Sequence, residues 1–255
     1  MSGERPYETH TGWVYFQRIT SREANRRVRA RFQELVLRIA PPGGALFDFG
    51  AGPGIDAKFF AERGFTVDAY DIDPKMCETF AVHCREFLDS GRVTLDCTGY
   101  REFLARKAPT AGRFADLVIS NFAPLNQIEV LPELFGRFHA LTAPTGKLLL
   151  SVLTPFYLGD MTSRWWWHHA LRLWGTGHVR VATGGAPPHT RRRLADFCAA
   201  GLPYFRLTRV FPGLAADPKQ RPQGIDMTQW SPGAWLRLLR SQFTILLFEK
   251  STHDA

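Results

Sequence analysis

No run of about 18 uncharged apolar residues, the length that spans a bilayer, occurs in the 255-residue chain, so no membrane-spanning helix is expected. The opening residues, Met1-Ser2-Gly3-Glu4-Arg5-Pro6, carry charge with no apolar segment behind it. A secretory leader is therefore not expected, and a cytoplasmic location is. Cysteine is scarce: Cys77, Cys84, Cys97 and Cys198 are the only four, and no C-x-x-C spacing occurs. That excludes a disulfide framework and a zinc ribbon, and predicts reduced, mostly buried thiols and no metal site. Internal repeats, low-complexity tracts and a recognisable RNA-binding module are also lacking.

What is there is ordinary in bulk and uneven in detail. A hydrophobic fraction of 45% and a charged fraction of 22% suit a soluble globular protein. At this length a fold buries roughly three quarters of the unfolded chain's surface, so it needs no metal or disulfide to hold it. The formal charge of +8 permits nucleic acid, an anionic membrane surface or an acidic substrate as partner. Plain solubility explains it equally well.

The first twenty residues hold Tyr7, Trp13, Tyr15 and Phe16, too aromatic for a disordered tail; they suit a lid or a cover for the sheet. Thr20-Ser21-Arg22-Glu23 fits a capping box, and Ala24, Val28, Phe32, Leu35, Val36 and Ile39 follow at helical spacing. Pro41-Pro42-Gly43-Gly44 ends that helix. From there strands over 45–49, 66–70, 93–97, 117–120 and 147–153 alternate with helices, among them 55–63 and 74–88. Strands and helices at this pace imply parallel β-α-β units. After Leu153 the rhythm breaks. Residues 155–190 carry Trp165, Trp166, Trp167, Trp174 and a Gly/Pro-rich stretch. A helix over 190–200, a strand over 205–211, an irregular stretch over 212–232, a helix over 234–240 and a strand over 243–248 complete the chain. The expected architecture is α/β: a Rossmann-like, seven-stranded, mostly parallel sheet with helices on both faces. It forms a single domain with an N-terminal lid and helix over 1–40 and a cap over 155–190.

The motif that carries chemistry is Gly50-Ala51-Gly52-Pro53-Gly54, entered from a strand and followed by a helix. Glycines let the backbone turn sharply and approach a ligand, while the helix start offers free N–H groups. A dinucleotide fingerprint, G-x-G-x-x-G, needs its third glycine where this chain has Ile55; here the third glycine comes one residue early. Asp71, at the end of the second strand, stands where a carboxylate can accept both hydroxyls of an adenosine ribose.

Phe47-Asp48-Phe49-Gly50-Ala51-Gly52-Pro53-Gly54 resembles the first motif of the class I S-adenosylmethionine-dependent methyltransferases. The resemblance, specific over roughly residues 20–155, implies S-adenosylmethionine as cofactor. It implies Asp48 near the methionine ammonium and Gly50, Ala51, Gly52 and Gly54 along the methionine moiety. Asp71 would hold the ribose, with Ile72 and Met76 beside the adenine and Thr98 and Gly99 across from it. The adenine amino group is left to Asp96, or to Thr98 and the backbone. Ser120-Asn121-Phe122-Ala123-Pro124-Leu125-Asn126 resembles the segment near the sulfonium, so Asn121 and Phe122 join the cofactor set. A looser likeness joins the chain to bacterial small-molecule methyltransferases with a Trp-rich cap.

Methyl transfer from a sulfonium needs alignment and exclusion of water, and a base only where the acceptor carries a proton near neutral pH. His168 and His169 are the candidate bases, with His178 and His189 behind them; capping or surface roles are the alternative. Tyr15, Asn126, Tyr157, Trp165 and Trp166 are the candidate acceptor contacts. The tryptophans could instead pack a cap helix, or meet a membrane interface with Arg164 and Arg172 at the headgroups. The expected function is methylation of a small, apolar or aromatic metabolite by a monomer or homodimer. RNA or protein as acceptor is suggested by Arg191-Arg192-Arg193. It is disfavoured because Asn121-Phe122-Ala123-Pro124 departs from the Asn-Pro-Pro-aromatic motif of amino-directed nucleic-acid enzymes. A fold relative using the cofactor for another reaction is the remaining alternative.

Overall fold

Apolar side chains alternate sides along the central strands, and a sheet built this way needs cover on two faces. In the computed structural model β1 is Ala45–Phe49, β2 Thr66–Tyr70, β3 Val93–Asp96, β4 Ala115–Ser120 and β5 Thr142–Leu153. Leu46, Leu117, Ile119 and Leu149 enter one core cluster, and Phe47, Phe49, Val118, Leu148 and Leu150 enter the other. Residues 20–107, 114–181, 188–214, 224–226 and 231–251 are described, with positions 12, 14 and 17. Tyr7, Trp13, Tyr15, Phe16 and the Trp165 side chain lie outside the described residues.

The first face is covered by α1 (Glu23–Ile39), α2 (Ile55–Ala61) and α3 (Pro74–His83), through Phe32, Leu35, Val36, Phe60 and Phe80. α4 (Arg85–Asp89) follows α3 directly. The second face is covered by α5 (Tyr100–Ala105) and α6 (Leu131–Leu141), through Phe103, Leu134, Phe135 and Phe138. Strands β6 (His178–Val181) and β7 (His189–Arg192) form a separate two-stranded sheet after α7 (Arg164–Thr176). The chain then runs through α8 (Leu194–Gly201), β8 (Phe205–Pro212), β9 (Ile225–Asp226), α9 (Pro232–Leu239) and β10 (Phe243–Lys250).

The main sheet has the order β3-β2-β1-β4-β5-β10-β8-β9. Strands β1 to β5 pair in parallel, and β10 inserts antiparallel between β5 and β8. The order reverses between β1 and β4, and a crevice opens beyond the carboxyl ends of strands at such a point. The expected Rossmann-like, mostly parallel sheet with helices on both faces is present. It has eight strands rather than seven, because the short β9 pairs with the edge of β8 inside the stretch read as irregular.

Several local expectations are corrected. Thr20 is itself helical and its hydroxyl donates to Gln17 O, while α1 starts after Arg22 without a side-chain cap. The helix expected over 74–88 breaks at Cys84, where φ −106° and ψ 15° leave the helical region. Residues at the start of the helix expected over 190–200 instead form β7, because pairing with β6 claims their backbone groups. The cysteines are not all reduced. Cys77 and Cys97 form a disulfide with Cα atoms 6.4 Å apart, while Cys84 and Cys198 are free. The Asp71 N–H donates to Asp96 O at 3.1 Å, which holds the chain leading into α3, where Cys77 sits, beside the end of β3, where Cys97 follows. Among the described residues, no helix is long and apolar enough to cross a membrane.

Phe135, fully buried, lies within 6.4 Å of the rings of Phe138, Phe205 and Phe248 and joins α6 to β8 and β10. Phe135→Ala should destabilise the fold by about 3–5 kcal/mol, measured by urea unfolding. A cost below about 1 kcal/mol would mean that this aromatic group is not a packed core.

Candidate active site

The turn leaving β1 is held open by glycine. Gly50, Gly52 and Gly54 have φ of +72°, +56° and +78°, a region that costs other residues strain. A Cβ on Gly50 would lie 2.5 Å from Pro124 Cγ, and one on Gly54 would lie 2.6 Å from Cys84 Sγ. Those two glycines let the loop settle onto its neighbours. A Cβ on Gly52 would meet nothing within 4 Å, so this side of the loop faces open space.

Hydrogen bonds fix the loop to the end of β2. Tyr70 O accepts from Gly50 N at 2.8 Å and Ala51 N at 3.0 Å. Asp71 Oδ2 accepts from Gly52 N at 2.7 Å, and Oδ1 from Asp73 N at 2.9 Å. Burial raises the Asp71 pKa above the ordinary carboxylate value, opposed by the Asp73 and Gly52 N–H groups. Beyond Asp71, Ile72 is 56% exposed, and Met76 is half-buried on α3.

Beneath the loop sits Asp48, buried, with its Oδ2 lacking any hydrogen-bond partner. Burial drives its pKa well above the usual range, and Asp56 pushes it further, against the pull of Arg29. Asp56 has the partners that Asp48 lacks. Its carboxylate accepts from Arg29 Nη1, from Gln33 Nε2 at 2.8 Å and from Asn121 Nδ2 at 3.0 Å. This clasp joins α1, α2 and the segment after β4. Asp56, Arg29 and Gln33 were missed by the sequence reading, although Arg29 and Gln33 share one face of α1 at i, i+4.

The turn after β4 is strained. Phe122 and Ala123 have φ of +60° and +64°, each costing roughly 1–3 kcal/mol for a residue with a side chain. Asn121 Oδ1 accepts from Phe122 N at 2.9 Å, and the Arg29 guanidinium lies 4.7 Å from the Phe122 ring centroid. Phe122, Leu153 and Leu214 pack, half-exposed, against Val28, Ala123 and Phe243. An apolar patch therefore borders the crevice.

The residues fit an adenosyl sulfonium carrying an amino acid. A buried carboxylate oxygen without a partner demands a cationic donor, which an ammonium group supplies. The open side of Gly52 leaves room along the loop, and Asp71 keeps lone pairs for hydroxyl groups. The sequence model of the family described as "Methyltransferase domain" matches residues 22–196. The chain belongs to that family. It is a class I methyltransferase that takes its methyl group from S-adenosylmethionine.

No curated protein matches the sequence of this methyltransferase. Solved structures do match its fold. One is the CcbJ methyltransferase from Streptomyces caelestis, at TM-score 0.60 and 15% identity, covering 96% of this chain and 98% of that one. A second is 1,6-didemethyltoxoflavin-N1-methyltransferase from Burkholderia thailandensis, solved with 1,6-didemethyltoxoflavin and S-adenosylhomocysteine. It gives TM-score 0.58 and 16% identity, covering 93% of this chain and 83% of that one. A third is magnesium protoporphyrin IX methyltransferase from Synechocystis PCC 6803 with bound S-adenosylhomocysteine. It gives TM-score 0.55 and 19% identity, covering 97% of this chain and 98% of that one.

The other expected site residues divide into groups. Thr98 and Gly99 follow β3 opposite Asp71, and Tyr70 Oη donates to Thr98 O at 3.2 Å. Asp96 Oδ1 accepts from Thr98 N at 3.0 Å and Oδ2 from Arg106 Nη1 at 2.6 Å, so both oxygens have partners. Asn126, fully buried, acts as a strut: Oδ1 accepts from Leu153 N at 3.0 Å and Nδ2 donates to Thr190 O at 2.7 Å. Trp166 is buried, and its Nε1 donates to Tyr157 O at 2.8 Å. The space that Trp166, His169, Leu173 and Arg191 enclose under α7 measures about 10 Å³, enough for one water. His168 is exposed on α7, its ring centroid 5.6 Å from that of His169.

Because its folded-state pKa is raised, Asp48 binds a proton more readily in the folded than in the unfolded chain. Its contribution to stability therefore falls as pH rises from the ordinary carboxylate value, near 4, toward the raised one. Asp48→Asn should unfold at higher urea than the wild type at pH 7, with the gap closing toward pH 4. A gap independent of pH would show that the carboxyl group titrates normally.

Proposed function

We propose that this methyltransferase acts on a small, apolar or aromatic metabolite held over the Phe122–Leu153–Leu214 patch. The described residues form one catalytic domain with residues 155–190 as its cap, and the lid expected over the first residues lies outside the described ones. When bound, S-adenosylmethionine supplies an already activated methyl group for in-line displacement. Asp48 receives the ammonium group of the cofactor, and its unpartnered oxygen is the observation that carries this assignment. Gly50, Ala51, Gly52 and Gly54 line the methionine chain. Asp71 accepts the ribose hydroxyls, Ile72 and Met76 flank the adenine, and Thr98 and Gly99 close the opposite side. The adenine amino group meets Asp96, whose oxygens keep lone pairs beside their Thr98 and Arg106 partners, or the backbone beside Thr98.

The acceptor assignment rests on the apolar patch at the carboxyl ends of β4 and β5. An apolar surface beside a sulfonium suits a planar or aliphatic acceptor and excludes water from the displacement. Two of the similar structures, those from Burkholderia thailandensis and Synechocystis, are named for small-molecule acceptors, which supports the same class. Asn121 and Phe122 stand between the two subsites. Tyr157 and Trp166 hold each other in the cap beside the acceptor, and His168 and His169, neighbours on α7, are the candidate bases where the acceptor carries a proton.

Asp48→Asn should lower affinity for S-adenosylhomocysteine by roughly tenfold to a hundredfold in calorimetry, the range for one charged hydrogen bond. Leu214→Asp should leave that affinity within about twofold while raising the acceptor KM at least about tenfold, as expected for a charge beside an apolar ligand. The assay uses labelled S-adenosylmethionine with a panel of planar aromatic and aliphatic acceptors. Unchanged cofactor affinity in the Asn variant would remove Asp48 from the site. Label passing to RNA or protein and to no small molecule would overturn the acceptor class.

A further inference from the structure

Helical geometry sorts the side chains of α7 into three stripes. Trp166 and Leu173 face inward, 9% and 2% exposed. Trp167, Leu171 and Trp174, at i, i+4 and i+7, form a second stripe that is 55%, 75% and 79% exposed. Arg164, His168 and Arg172, at i, i+4 and i+8, form a third, exposed and adjacent to the second. No acidic residue occurs anywhere in the helix. Two tryptophans and a leucine in one exposed stripe are more than scattered surface residues, and such patches mark interaction sites.

We propose that the outer side of α7 docks this methyltransferase onto an anionic phospholipid membrane. An apolar stripe beside a cationic one matches the depth order of a bilayer surface, acyl chains below and phosphates above. The Trp167 indole already donates to Met161 O at 3.0 Å, so its ring enters the apolar layer without an unpaired donor. Tryptophan is also the side chain most at home at that boundary. Charge complementarity favours lipid: the protein carries +8 overall, and nearby Asp160 and Glu129 are paired with Arg191 and Arg180. A second copy of the chain on the same face would set two cationic stripes against each other, which opposes self-association there. One helix of this kind gives reversible, salt-sensitive binding rather than insertion.

Sedimentation with phosphatidylcholine vesicles, and with vesicles holding about 30% phosphatidylglycerol, tests this directly. The wild-type protein should bind the anionic vesicles at least about tenfold more tightly, and lose that preference at high salt. Leu171→Ser/Trp174→Ser and Arg164→Glu/Arg172→Glu should each reduce binding at least about tenfold, with S-adenosylhomocysteine affinity and circular dichroism unchanged. No binding by the folded wild type, equal binding to both vesicle types, or full binding by either variant overturns the proposal. So does a wild-type dimer that Leu171→Ser/Trp174→Ser converts to a monomer, since a second copy would then cover the face.

Discussion

The Asp71 carboxylate holding the Gly52 N–H is the contact on which the site depends. It ties the turn leaving β1 to the end of β2, two segments that belong to neighbouring strands. With Tyr70 O taking two further N–H groups from the same turn, the loop is held at several points from one strand end. That restraint fixes the positive φ angles and keeps the outer side of Gly52 facing open space. A ligand meets a loop already in place, so little ordering entropy is lost on binding.

The second requirement is electrostatic. Two buried aspartates, Asp48 and Asp56, lie close together, and Asp56 raises the cost of ionising Asp48. The fold satisfies one and leaves the other short. Arg29, Gln33 and Asn121 all converge on Asp56, so the local cations and donors are used there. Asp48 keeps an oxygen without a hydrogen-bond partner among the described residues. Stability is given up at a position where a cationic ligand restores it, a common arrangement at binding sites.

Most of the sheet was legible in the sequence because its signals are local. Short apolar runs alternating with helical stretches marked the strands, and Gly, Pro and the Gly50–Gly54 turn marked where they stop. What was illegible depended on residues distant in the chain. Asp56 draws partners from 23, 27 and 65 residues away, and no local pattern announces them. β7 looked helical because only its pairing with β6 makes it a strand. The disulfide between Cys77 and Cys97 joins α3 to the residue after β3, a meeting that spacing does not reveal. The helix break at Cys84 fits the same rule: its side chain reaches Gly54 O beneath the loop, 30 residues back.

The proposed cap has its own small core. Its apolar residues Leu173, Val179 and Val181 form a cluster of their own, apart from both clusters that cover the sheet. Among the described residues, its links include the Asn126 strut, the Arg180–Glu129 ion pair and Arg192, which donates to Ile128 O and Glu129 O. A region fastened this way can be lengthened, shortened or exchanged over evolutionary time while the sheet goes on folding as before. Descendants of one ancestral scaffold would then diverge first in what they modify, and last in where the modifying group comes from.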